Sequence, residues 1–295
     1  MTTTLKTLVA TGCSSGLGFE AIKQLLTKQP PLSPSISLST VLLGVRNTVS
    51  TTAAFASAGV LPSPTILPLE LSDLSSVKRF AADTLERLGS QPLDYLLLNA
   101  ANAYPVERKS KYGDWCEQYI VNHLSQHYLI HLLREKLLAS KTRIVFVSSG
   151  AIRMVSDPDA LESQLKGVPG PSFVENTYPH TKFTQLLNAH YWRRSLSPTC
   201  VVVAVSPGLV PTTGLTREAN FNLPANSPDA RSISVGATSI LQALVRSDFP
   251  EDADRIFLTS WGEWWEVSDI AKTVNKDLQD KWSPPKEDIE TMISI

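Results

Sequence analysis

Tyr178 and Lys182 stand four residues apart in the run Tyr-Pro-His-Thr-Lys, a spacing that sets a phenol and an ammonium on one face of a helix. A cation beside a phenol favours the phenolate. The pairing therefore predicts a tyrosine pKa lowered from about 10 toward a range where it exchanges protons with an alcohol. Far upstream, the run Thr-Leu-Val-Ala-Thr-Gly-Cys-Ser-Ser-Gly-Leu-Gly, residues 7–18, carries an apolar strand straight into three closely spaced glycines. Gly12, Gly16 and Gly18 permit a tight turn and a close backbone approach, with Ser14, Ser15 and Leu17 between them. The helix that begins near Gly16 points its amino-terminal dipole at whatever anion sits there. That junction is suited to a pyrophosphate.

The end of the second strand selects between dinucleotides. A carboxylate there accepts the two ribose hydroxyls, whereas a cation pairs with a 2′-phosphate. This strand ends Leu43-Gly44-Val45-Arg46-Asn47, and no Asp or Glu occurs from Leu38 to Leu69. Arg46 can make a bidentate phosphate contact, and Ser14 and Ser15 can add hydroxyl donors. The expected cofactor is NADPH or NADP+ in preference to NAD.

The elements that must position these groups follow from apolar periodicity. Strands are predicted at Leu8–Ala10, Thr40–Gly44, Thr65–Leu69, Leu93–Leu98, Arg143–Val147, Thr199–Val205 and Arg255–Leu258. Helices are predicted at about 19–28, 74–88, 112–139, 178–196 and 229–246. This alternation predicts an α/β fold, a doubly wound Rossmann sheet that is mainly parallel, with helices on both faces. No repeat or linker divides residues 1–295, so a single domain is expected. The segments at about 150–177 and 207–228 follow strands at their carboxyl ends, the edge where ligands bind in such sheets, and are the expected substrate walls.

Composition narrows the partners. With 27 basic and 28 acidic residues the formal charge is −1, which supplies no footprint for nucleic acid or an anionic membrane. The three cysteines, Cys13, Cys116 and Cys200, are widely spaced, which argues against a disulfide framework or zinc site and suits a reducing compartment. No apolar run approaches the roughly 18 to 20 residues of a membrane helix. The first strand starts within a few residues of Met1, so a cytoplasmic protein without a targeting segment is expected.

The glycine spacing G-x-x-x-G-x-G after Thr11 resembles the cofactor loop of the short-chain dehydrogenases/reductases, and three further motifs follow in that family's order. These are Val121-Asn122-His123, Ser148-Ser149-Gly150 after the fifth strand, and Tyr178-x-x-x-Lys182. The resemblance spans about residues 5–212 and is nearest the retinol-dehydrogenase and protochlorophyllide-reductase members. It implies that Tyr178 protonates the substrate oxygen, Ser149 hydrogen-bonds it, Lys182 holds the ribose and tunes Tyr178, and Asn122 anchors a water relay to Lys182. It further implies cofactor contacts from Asn99 in Leu98-Asn99-Ala100-Ala101, where Ala101 replaces a usual glycine, and from Glu70-Leu71 at the adenine edge. Pro207, Gly208, Val210 and Thr212 are implied over the nicotinamide carboxamide.

The reaction so implied is NADPH-dependent reduction of a ketone or aldehyde. Tyr104, Val106, Ile152, Met154, Phe173, Leu209, Leu215 and Phe221 in the candidate walls predict a bulky apolar carbonyl substrate such as a polyketide or terpenoid, which places the protein in secondary metabolism. Two alternatives stand beside it: reduction of a carbon–carbon double bond on the same scaffold, and a non-catalytic NADP(H)-binding sensor or scaffold. The 29 residues from Ser149 to Tyr178 are more than the family usually has and add a segment beside the site. The chain is expected to be a monomer or a homodimer, with the added segment favouring the monomer.

His123, His127 and His131 span about 12 Å of helix and cannot all reach one ion, so a packed helix face rather than a metal site is expected. His180 and His190 are expected on a helix surface, with His180 able to face the pocket. Trp261, Trp264, Trp265 and Trp282 are expected on a carboxy-terminal helix docked against the domain, the alternative being a substrate lid or an oligomer contact.

Overall fold

The run of buried strands and amphipathic helices resolves into one seven-stranded sheet in the order β3-β2-β1-β4-β5-β6-β7, with every neighbouring pair parallel. The computed structural model describes residues 5–29, 36–103, 108–166, 173–211, 213–216 and 230–293, the side chains of residues 173–176 and 216 excepted. The strands are β1 (Lys6–Thr11), β2 (Leu38–Val45), β3 (Thr65–Pro68), β4 (Tyr95–Leu98), β5 (Arg143–Val147), β6 (Val201–Val205) and β7 (Phe257–Leu258).

Pleating divides the core in two. Leu8, Ala10, Leu43, Leu97 and Val145 point to α1 (Gly16–Thr27), α2 (Thr48–Ser57) and α8 (Ile233–Val245). Val9, Leu42, Leu96, Leu98 and Ile144 point to α3 (Leu74–Leu88), α5 (Ser125–Ser140) and α7 (Phe173–Leu196). Near-continuous apolar strands are what burial on both faces demands. Crossing from β1 to β4 reverses the strand order and opens the carboxyl edge between them. Among the described residues, no helix is long and apolar enough to cross a membrane.

Three elements depart from the predicted ones. α2 has no counterpart in the periodicity, because its Thr, Val and Ser residues are weak helix formers. It forms on an Asn47 cap, which accepts the Ser50 N–H, and on Phe55, buried in the core. The helix predicted from Tyr112 starts instead at α4 (Glu117–Tyr119), passes through a π turn at Ile120–Leu124 and continues as α5. Gly113, at φ +67, turns the chain ahead of it, and the Tyr112 hydroxyl accepts the first N–H of α3. α7 begins at Phe173, so Tyr178 sits inside the helix rather than at its start.

The carboxy-terminal region also differs from expectation. Trp261, Trp264 and Trp265 belong to the return that follows β7, where Trp265 stacks on Phe257, while Trp282 closes α10 (Lys276–Lys281). α6 (Leu161–Lys166), the short α9 (Val267–Ile270) and α11 (Lys286–Ile293) complete the helices. The segment from Trp282 to Pro284 lies along the π turn and α5 and is bound by the histidine stripe that runs through both. His123 Nε2 lies 2.8 Å from the Trp282 carbonyl and His127 Nε2 2.8 Å from that of Pro284. His127 Nδ1 accepts from Trp192 Nε1 at 2.9 Å and sits 2.7 Å from Asn188 Nδ2, which leaves Nε2 as the protonated nitrogen. His190 is 1% exposed rather than on the surface, because the turn at Ala271–Val274 covers that side of α7. Among the described residues no group of three or more His, Cys, Asp or Glu side chains could hold a metal ion.

Burial holds these histidines neutral, with His123 lowered to about 4 and His190 to about 3 from an ordinary 6.5. The unfolded chain therefore binds protons that the folded one rejects. Their contribution is intact above about pH 6.5 and is lost as pH falls toward 4. At pH 5 the loss is on the order of 2 kcal/mol for each. Thermal unfolding midpoints should drop steeply between pH 7 and pH 5; a flat profile over that window would contradict neutral buried histidines.

Candidate active site

At the switch between β1 and β4 the strand ends border a cleft of about 540 Å³. Gly12, Ser14, Ser15, Gly16, Leu17 and Gly18 line one part of it. Arg46, Glu70, Leu71 and Asn99 line another, and Ser149, Tyr178, Lys182, Pro207, Gly208 and Val210 the rest. Of the residues expected at the cofactor or the substrate oxygen, Asn122 is buried behind the cleft, and Thr212 lies outside the described residues.

The phosphate end is prepared by what α1 lacks. Ser15, its cap residue, makes no side-chain bond to the helix, and the first turn carries no acidic residue. α2, α3 and α8 are each capped by a side chain of their own, from Asn47, Asp73 and Ser232. The amino end of α1 thus presents donors and a positive dipole end to the cleft. The turn before it is pinned from β4: Asn99 Nδ2 donates to the carbonyls of Gly12 (2.8 Å) and Thr11 (3.3 Å), and Thr11 Oγ1 accepts from Ala100 N–H. Gly12 is obligatory there. Its φ is +68, and a Cβ would lie 2.5 Å from Ala100 Cα.

Arg46 is exposed at the end of β2, lines the cleft, and has no ion pair among the described residues. Glu70 turns one carboxylate oxygen back onto the backbone N–H (3.0 Å) and hydroxyl (2.9 Å) of Ser72.

At the far end, Ser149 Oγ caps the turn Gly150–Met154 by accepting Ala151 N–H, and it stands close enough to the Tyr178 phenol to lower its pKa. Ser148 instead donates to the Lys182 carbonyl. The lowered tyrosine pKa expected from the sequence counts the positive ring of an oxidised nicotinamide beside Lys182; among the protein's own groups, burial pushes the Tyr178 pKa up to about 12, against the lowering effect of Ser149. Burial also brings the Lys182 pKa down to about 7, which weakens its pull on the phenol. With the protein's own groups alone, Tyr178 is a protonated donor. The Lys182 Nζ donates to the Val147 carbonyl at 2.9 Å and to Gln185 Oε1 at 3.2 Å, and lies 5.8 Å from the centroid of the Tyr178 ring.

Asn122, in the π turn, spends its side chain on a brace. Its Oδ1 accepts Asn102 N–H at 2.8 Å, and its Nδ2 donates to Asn102 O (2.8 Å) and Thr181 Oγ1 (3.0 Å). This ties the loop after β4 to α7. Sequence reading missed Thr181, Gln185 and Gln126. Gln185 had a signal, since it follows Lys182 by three residues and shares its helical face. Gln126 had none, because the π turn shifts its phase.

The apolar wall contains Ala101, Ala103, Val121, Leu209 and Leu215, with Met154 at 62% exposure on the rim. Ile152, expected here, is packed into the core instead, because the turn at Gly150–Met154 rotates it inward. Tyr104, Val106, Phe221 and the Phe173 side chain lie outside the described residues.

No protein-family model matches the sequence. The chain is 47% identical over 293 residues to a short-chain dehydrogenase/reductase of Pestalotiopsis microspora, an alignment covering 97% of this chain and 98% of that protein. It is 29% identical over 239 residues to a protochlorophyllide reductase of Avena sativa, covering 72% of this chain and 73% of the other. In fold it is similar to an NADPH-bound carbonyl reductase from chicken fatty liver, with a TM-score of 0.65 at 20% identity over 88% of this chain and 94% of that one. With near-half identity over almost its whole length, this chain belongs to the short-chain dehydrogenase/reductase family and is an oxidoreductase of that family.

Proposed function

We propose that the protein reduces a ketone or aldehyde on a bulky apolar substrate, such as a polyketide or terpenoid, with NADPH as the cofactor, in the cytoplasm. One observation carries this most: Tyr178, with Ser149 beside it and Lys182 behind it, shares a cleft with an uncapped helix end and an arginine that has no ion pair among the described residues. The donor set fits a phosphorylated dinucleotide, with the amino end of α1 for the pyrophosphate and Arg46 for a 2′-phosphate. Bound there, NADPH supplies the hydride. Tyr178 gives its proton to the carbonyl oxygen, Ser149 hydrogen-bonds that oxygen, and Lys182 holds the ribose. Asn122 keeps the loop after β4 against α7. Pro207, Gly208, Val210 and Thr212 form the carboxamide side, and Glu70 and Leu71 the adenine edge. The small and aliphatic wall accepts apolar bulk.

The test is oxidation of NADPH and NADH, followed at the nicotinamide absorbance, against bulky ketones, aldehydes and enones. Turnover with NADPH on a carbonyl compound is expected. Arg46→Ala should raise the KM for NADPH about 10- to 100-fold and leave that for NADH unchanged, the effect of losing a charged hydrogen-bond pair. A wild-type preference for NADH would overturn the assignment of Arg46. The likeness to protochlorophyllide reductase favours one second reading, reduction of a conjugated double bond. A product that keeps its carbonyl and loses its conjugation would select it.

A further inference from the structure

We infer that Gln185 and Gln126 form an amide chain that positions Lys182 from behind, in the place where a water relay anchored on Asn122 was expected. This rests on the reductase reading for its consequence in turnover, but not for its geometry. A lysine ammonium has three N–H donors. Here one goes to Val147 O and one to Gln185 Oε1, which leaves one for the cleft. Gln185 Nε2 in turn donates to Gln126 Oε1 at 3.4 Å, and Gln126 Nε2 donates to Ala100 O at 2.7 Å, with a longer contact to Asn122 O at 3.3 Å. Both glutamines are about 1% exposed, so neither amide can turn to water for a substitute.

The orientation of each amide follows from the chain's two ends. The ammonium requires an oxygen from Gln185, which turns its NH2 toward Gln126. The Ala100 carbonyl requires an NH2 from Gln126, which turns its oxygen toward Gln185. Both dipoles therefore point their negative ends along the line to Lys182 and favour its charged form. The chain ends on Ala100, beside Asn99, so the lysine is tied to the strand end that pins the phosphate turn.

Few other groups bear on this lysine. Its titratable neighbour on α7 is Tyr178. On the facing helix, His123 turns to Trp282 O, and His127 to Pro284 O, Asn188 and Trp192. Burial is what moves its pKa. Removing the Gln185 oxygen should therefore be felt directly.

The experiment compares Gln185→Met, which keeps the length and removes the acceptor, with Gln185→Glu, which places a carboxylate at the ammonium. The Lys182 titration is read by NMR in protein carrying 13Cε-labelled lysine, its signal assigned by its loss in Lys182→Arg. Gln185→Met should lower the Lys182 pKa by about one unit and Gln185→Glu should raise it. Gln126→Met should act in the sense of Gln185→Met but more weakly, since it only frees the Gln185 amide to turn. In turnover, Gln185→Met should lower kcat about ten-fold and move down in pH the limb set by loss of the Lys182 proton, with Gln185→Glu restoring kcat to within a few-fold.

A Lys182 titration that stays put in both Gln185 variants overturns the inference, as does a loss of kcat with an unmoved limb. If Gln185→Met does not fold, the upward shift in Gln185→Glu decides. If the wild type turns over no compound, the reductase reading fails while the NMR titration still judges the glutamine chain.

Discussion

Tyr178→Phe should reduce kcat for carbonyl reduction about 10³-fold while leaving NADPH affinity within a few-fold. The removed atom is the proposed proton donor, and a positioned general acid contributes about 10² to 10⁴ in rate. The phenol lines the cleft beside Ser149 on a half-buried residue, and a water entering in its place would not be held against the substrate oxygen as the phenol would be. Phe keeps the ring that packs against Lys182, which preserves the cleft for cofactor. The comparison is a steady-state kcat measurement alongside NADPH binding by fluorescence titration. Equal loss of binding and turnover would mean that Tyr178 shapes the cleft rather than donating a proton. Full retention of kcat would remove it from the chemistry.

Gly18→Ala should cost about 1–3 kcal/mol of stability and weaken NADPH binding by more than about ten-fold, although alanine is the better helix former. A Cβ at Gly18 would fall on the Asn99 amide and on the Gly12 carbonyl, closer than any real Cβ sits to a neighbour. Those two atoms are the partners of the 2.8 Å bond that pins the phosphate turn. The methyl therefore wedges open the contact that shapes the anion site. Adding Asn99→Ala should recover part of the stability, because one of the two obstructing atoms goes, but not the affinity, because the Gly12 carbonyl remains. Denaturant unfolding and NADPH titration of the single and double variants check both points; additive losses would show that the two residues do not share this contact.

Gly12 and Gly18 illustrate what a sequence discloses and what it withholds. Their spacing after an apolar strand suits a phosphate-binding turn, yet part of the requirement for glycine at both comes from Asn99 and Ala100 in the loop after β4, about 80 residues away in the chain. α2 shows the converse. Its residues argue weakly for a helix, and a single cap and one buried phenylalanine decide the matter. The histidine stripe on α5 was legible as a packed face, but its partner, the carbonyls of Trp282 and Pro284, was not.

By itself the sequence determined the alternation of strands and helices, the parallel sheet, the glycine turn, the cation at the end of β2 and the order of Asn122, Ser149, Tyr178 and Lys182. Each of these is written in short-range spacing: period two or apolar continuity for strands, 3.6 for helices, four residues for a shared face. Only the tertiary structure decided the desolvation of the Tyr178 phenol and of Lys182, the burial of His190 and Ile152, and the tie from Lys182 through Gln185 and Gln126 to Ala100. These depend on desolvation and on hydrogen bonds between segments that meet only when the sheet has closed around them, and local spacing carries no record of either.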